Sequence, residues 1–141
     1  MPSLTSSRPA LPRDALVALL QQRVPGLLGI YAFGSQMTGT AGPESDLDLA
    51  VLVAGYADPV RLWELASDLA GIAGCEVDLL DLRAASTVMQ YQVLMTGERW
   101  WAVDVRAGLF EAFVLSEKTA LDEARAGLLA DIAREGRIHG R

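Results

Sequence analysis

Residues 31–53 read YAFGSQMTGTAGPESDLDLAVLV, two apolar runs joined by a loop rich in Gly, Thr and Pro. The first run ends at Phe33 and turns through Gly34-Ser35. The second begins at Leu47 and continues to Val53. Side chains on a strand alternate between faces, so Asp46 and Asp48 point one way while Leu47, Leu49, Val51 and Val53 point the other, into a core. Two adjacent carboxylates repel, and crowding them without a cation is costly. A hard divalent cation with oxygen ligands, such as magnesium, resolves that cost. Upstream, the Gly-Ser turn offers backbone N–H groups and a hydroxyl suited to phosphate oxygens. Cation and phosphate cradle together describe a site for a metal-bound nucleotide. A solvated strand start would explain Asp46 as ordinary turn chemistry, but not Asp48 at the head of a buried strand.

Gly34-Ser35, ten intervening residues and then Asp46-Leu47-Asp48 resemble the GS…DxD signature of the nucleotidyltransferase superfamily that includes DNA polymerase β. In size and spacing the chain is most similar to the minimal nucleotidyltransferases, the antitoxin half of HEPN/MNT toxin–antitoxin pairs. The resemblance spans residues from about Ala15 to Asp104 and implies a palm-like α/β (α+β) fold: a small mixed sheet of about four strands flanked by helices, with a long C-terminal helix. It also implies a third carboxylate from a neighbouring strand. Asp78 is the acidic residue set within the apolar run from Val77 to Leu80, and Glu76 and Asp81 are its rivals. Under this resemblance Asp46, Asp48 and Asp78 hold one or two Mg2+ ions, Asp78 doubles as general base, and Gly34 and Ser35 contact the triphosphate of ATP. The implied partner is a cognate HEPN RNase toxin carrying an acceptor tyrosine. Two other readings stand beside it. One is an antitoxin that acts by contact with its site unused; the other is a transferase acting on an aminoglycoside-type small molecule or an RNA end.

The rest of the chain bounds these readings. At 141 residues it can bury one core without staples, and residues 13–135 read as one domain between a mobile tail (1–12) and a frayed one (136–141). Cys75 is the single cysteine, which excludes an internal disulfide and a thiolate zinc cluster. The net charge of −6, with Lys118 as the only lysine, argues against a surface dedicated to DNA or RNA. No apolar run reaches bilayer length and residues 1–13 lack an apolar core, so neither a membrane span nor a secretion signal is expected, and the cytoplasm is the default location. Arg13, Arg83 and Arg99 are the candidates for neutralising a triphosphate. Arg134 and His139 share the Arg-x4-His spacing of HEPN RNases, but Gly136 interrupts them and the helical bundle such toxins need is missing, so we reject that reading. His139 is expected to face solvent.

Periodicity predicts helices over 13–24, from Pro59 to about Ile72, over 84–95 and from Asp104 to about Arg134. Strands are predicted at 27–33, 47–53, 75–82 and 99–103, with one helical turn near residues 36–38. The second helix is expected to bury Val60, Trp63, Leu65, Leu69 and Ile72 in part. The last is expected to carry an apolar stripe of Val105, Leu109, Phe113, Leu121, Leu128 and Ile132. Trp63, Trp100 and Trp101 read as core or interface aromatics, with Trp100 and Trp101 on opposite sides of their strand.

Overall fold

A computed structural model of the protein describes residues 11–38 and 45–139, with no account of the side chains of Thr38 and 136–139. The elements run α1 (Arg13–Arg23), β1 (Leu27–Phe33), α2 (Ser35–Thr38), β2 (Leu47–Val53), α3 (Pro59–Ala73), β3 (Val77–Asp81), α4 (Thr87–Thr96), β4 (Glu98–Ala102) and α5 (Val105–His139). The four strands form one sheet in the order β3-β2-β1-β4. β1 pairs antiparallel with both β2 and β4, and β2 pairs parallel with β3. The sheet is therefore mixed, as expected, with β1 and β2 internal. Every residue of β1 is buried, and in β2 only Asp48 escapes burial. That is what an almost continuous apolar run on a doubly covered strand dictates.

Alternation distributes these strands between two cores. Ile30, Ala32, Leu49 and Val51 face α1 and α3, meeting Leu16, Leu20, Leu62, Leu65 and Leu69. Leu28, Tyr31, Phe33, Ala50 and Leu52 face α4 and α5, meeting Val93, Ala107, Phe110 and Val114. The Tyr31 hydroxyl donates to Glu111 Oε2 at 2.7 Å, and Arg99 Nη1 donates to the same oxygen at 2.9 Å. Burial, and then the Glu111 carboxylate beside it, hold Tyr31 ionisation far above the usual phenol range. This half-buried bond fastens α5 to the sheet.

Capping explains the element boundaries. Asp58 accepts from Val60 N–H at 3.0 Å ahead of Pro59, and Gly74 closes α3 in the left-handed conformation. α4 starts at Thr87 and not at residue 84, because the Ser86 side chain accepts from Met89 N–H at 3.1 Å. Residues 82–85 are spent on turns that begin at Asp81 and Leu82. β3 is shorter than expected at both ends, β4 lies one residue earlier, and α1 ends one residue sooner.

Three expectations fail here. In α3 the sheet-facing positions are Leu62, Leu65 and Leu69, while Val60, Trp63 and Ile72 lie exposed on other faces of the helix. In α5 the core positions are Ala107, Phe110 and Val114. Val105, Leu109 and Phe113 face solvent, and Leu121, Leu128 and Ile132 are exposed because α5 outruns the body it packs on. From Leu115 to Glu135 every residue but Lys118 is exposed. Helix phase is set by which face the sheet meets, and a broken apolar stripe does not reveal that. Finally, α5 continues through Gly136 to His139, beyond the end expected near Arg134. A lone glycine costs only about 1 kcal/mol in a helix, too little to end one. Of the expected tail at residues 1–12, residues 1–10 lie outside the described residues.

Gly97 joins α4 to β4 so closely that a Cβ there would lie 2.5 Å from both Ala32 O and Val93 O. Both obstacles are backbone and cannot swing aside. Gly97→Ala is therefore expected to destabilise the fold by about 1–3 kcal/mol, seen as a lowered urea midpoint with an unchanged slope. An unaltered midpoint would show that the junction is looser than it looks.

Candidate active site

Strand register assembles the site. Phe33 at the end of β1 sits opposite Asp48, and Asp48 sits opposite Asp78 on β3. Residues directly opposite on neighbouring strands point to the same face. Asp48 and Asp78 therefore stand side by side on the α4/α5 face of the sheet. The two carboxyl groups are within hydrogen-bonding reach of one another, and Asp46 adds a further negative charge near Asp48. Burial first, then Asp78 and Asp46, push the Asp48 carboxyl above its usual range.

Of the rivals for the third carboxylate, Asp81 is committed elsewhere. Its Oδ2 accepts from Ala57 N–H at 2.8 Å and its Oδ1 from Arg83 N–H at 3.1 Å, fixing the turns beyond β2 and β3. Glu76 lies just before β3, exposed, and its carbonyl accepts from Leu47 N–H. Asp78 is the one register places beside Asp48. Among the described residues no three His, Cys, Asp or Glu side chains are already arranged around a single point as metal ligands. What the fold presents is the tight Asp48–Asp78 pair with Asp46 beside it. Its donors are all carboxylate oxygens and their mutual repulsion is unrelieved, so in chemistry and charge the set fits a hard divalent cation such as Mg2+.

Gly34 turns the chain at this point with φ of +80°, a conformation that other residues adopt only with strain. A Cβ built there would overlap Asp48 Oδ2. The glycine is thus required by the carboxylate itself, a reason the sequence did not disclose. Ser35 opens the single helical turn of α2, and Gln36 Nε2 donates to Ser45 O at 3.1 Å. That bond joins the two ends of the loop before Asp46. Sequence reasoning missed Gln36, because nothing in a residue type signals a partner nine positions away. Residues 39–44 of this loop lie outside the described residues.

The three arginines considered for the triphosphate are engaged elsewhere. Arg13 donates to Glu98 and to Trp100 O and lies over the Trp100 ring. Arg83 Nε donates to Val53 O beneath Phe110, and Arg99 binds Glu111. Trp100 is buried and Trp101 half-buried in the α1 side of the core, while Trp63 is 79% exposed.

Residues 15–104 match the family described as polymerase beta, nucleotidyltransferase. The chain is 38% identical over 122 residues to the protein adenylyltransferase MntA of Shewanella oneidensis, covering 86% of this chain and 88% of that one. Its fold superposes with a TM-score of 0.77 on a chain of a crystal structure of a toxin–antitoxin with AMP-PNP, at 37% identity over 87% of this chain and 99% of that one. It also matches, with a TM-score of 0.70 and 35% identity over 86% of this chain and 95% of that one, a chain in the structure of a tri-AMPylated Shewanella oneidensis HEPN toxin in complex with MNT antitoxin.

Proposed function

Because this chain belongs to the polymerase beta nucleotidyltransferase family, we propose that it is a Mg2+-dependent adenylyltransferase that moves AMP from ATP to a tyrosine of a cognate HEPN RNase toxin, silencing it. The observation that carries this reading is the Asp48–Asp78 pair set by strand register, with Gly34 turned tightly against it. Likeness to a protein adenylyltransferase and to antitoxin complexes supports ATP as donor and a toxin as acceptor.

The reaction is an in-line displacement. The phenol oxygen bonds to the α-phosphorus, the bond from that phosphorus to the bridging oxygen breaks, and pyrophosphate leaves. When bound, Mg2+ would acidify the attacking hydroxyl and offset the charge of the triphosphate and of the departing pyrophosphate. Asp46, Asp48 and Asp78 would hold the ion or ions, and Asp78 would accept the phenol proton. Gly34 and Ser35 contact the β and γ phosphates. With Arg13, Arg83 and Arg99 bound to other groups, no arginine among them shares that charge, so chelation with EDTA should cost ATP binding as well as turnover.

Asp78→Asn should slow transfer by about 10²-fold or more while weakening ATP binding much less, read by single-turnover rates beside an equilibrium titration. A large effect at Glu76→Gln or Asp81→Asn with none at Asp78→Asn would move the third carboxylate.

The direct experiment is intact-mass spectrometry of the purified chain, Mg2+ and ATP mixed with the protein encoded beside it. Gains of whole AMP units on that protein are expected. A stable complex with no gain would instead favour inhibition by contact, a reading to which the exposed apolar residues of α5 (Leu128, Leu129, Ile132) lend support. Neither gain nor complex would return attention to small-molecule acceptors.

A further inference from the structure

We propose that the acceptor tyrosine arrives on an extended, basic segment that pairs with the free edge of β3, adding a fifth strand to the sheet. The inference rests on the adenylyl-transfer reading above and names how its acceptor is held.

β3 is an edge strand. Its bonds to β2 use the even-numbered residues: Leu47 N–H donates to Glu76 O, and Leu82 N–H donates to Val51 O, both at 2.9 Å. In a parallel ladder the alternate residues then turn their N–H and C=O groups outward, so those of Val77 and Leu79 face the open side. Register does the rest. Asp48 and Asp78 are neighbours because they are opposite one another, and a residue opposite Asp78 on an added strand would project onto the same face. A tyrosine there would carry its hydroxyl beside Asp78, while the residues on either side of it would point to the α3 face.

A groove receives them. Its walls include Trp63 and Tyr56 from the α3 side and Val77, Asp78 and Leu79 from the β3 edge. Trp63 on α3 and Tyr56 in the loop before it are 79% and 73% exposed, an unusual outlay of aromatic surface where the core face of the helix is already supplied by Leu62, Leu65 and Leu69. Charge selects the occupant. Glu64, Asp68, Glu76, Asp78 and Asp81 line the groove against one arginine, Arg23, which is paired with Asp68. Acidic residues along an edge discourage pairing with a second copy of the same acidic chain. They favour a segment with Lys or Arg flanking its tyrosine. Main-chain bonds to a sheet edge supply affinity and side-chain pockets supply selectivity in this mode of recognition.

The test uses the full chain and the protein encoded beside it. Hydrogen exchange should show new protection at the Val77 and Leu79 amides when that protein is added. Trp63→Ala and, separately, Glu76→Arg should raise the KM for the acceptor about tenfold or more, with binding of a fluorescent ATP analogue unchanged. AMP transfer with unaltered KM in both variants, or with no protection on β3, would overturn the docking while leaving the transfer reading intact. Protection that appears without the acceptor and grows with protein concentration would assign the edge to a second copy and overturn it too. Protection on β3 without any AMP transfer would uphold the docking and remove the transfer reading.

Discussion

Asp48→Asn is expected to abolish AMP transfer, by at least about 10²–10³-fold, and to make the metal-free protein more stable. The first effect follows from removing the charge at the centre of the carboxylate group. Asparagine keeps the size of the side chain and one oxygen but offers a neutral, weaker ligand. The second effect follows from the raised Asp48 ionisation. Because the folded-state value lies above the unfolded one, the folded protein binds more protons in the window between the two, and stability falls as pH rises through it. Above that window the charged form of Asp48 bears the cost of burial and of the neighbouring Asp78 and Asp46. Asparagine removes that cost, for a gain of at most about 1 kcal/mol once solvent screening is allowed for. Urea unfolding of both proteins in EDTA at pH 7 measures the gain, which should vanish below the ordinary carboxylate range. A variant that is less stable and still turns over would sink the metal-site reading.

Gly34→Ala should be nearly as damaging, for a different reason. A non-glycine residue at φ of +80° costs about 1–2 kcal/mol in backbone strain, and the new methyl would occupy the position of Asp48 Oδ2. The carboxylate must move off its place, and misplacement by about 1 Å is enough to cost 10²-fold. Loss of transfer by about that factor is expected, with stability reduced by about 1–3 kcal/mol. A double-mutant cycle identifies the clash. In an Asp48→Ala background part of the Gly34→Ala penalty should disappear, since the obstructing oxygens are gone. Strictly additive penalties would mean that backbone strain alone is responsible.

These two positions lie within the 23-residue stretch quoted first, which is why so much of the candidate site's geometry was legible in advance. Gly34-Ser35 and Asp46-x-Asp48 are a local pattern of chemistry and alternation. The capped start of α3 at Asp58-Pro59 was legible for the same reason, because the bond closes within two residues. Asp78 was harder. Composition left three acidic residues in play, and only the parallel register of β2 with β3 put one of them opposite Asp48 and showed another, Asp81, holding backbone amides. The arginines were unreadable, since Arg13, Arg83 and Arg99 each find partners that depend on which helix covers which strand. Trp63 was misread as partly buried because an aromatic residue scores as apolar whatever it faces.

By itself the sequence determined the mixed α/β character, the buried central strands and the paired aspartates behind a Gly-Ser turn, since each is written in residues that are neighbours along the chain. The tertiary structure alone decided which acidic residue stands opposite Asp48, why residue 34 has no side chain, which face of α3 and α5 is buried, and that β3 is the edge strand of the described sheet. Those facts depend on strand register and helix phase, and both are settled by contacts between residues far apart in the chain, where hydrophobicity is nearly indifferent and geometry chooses.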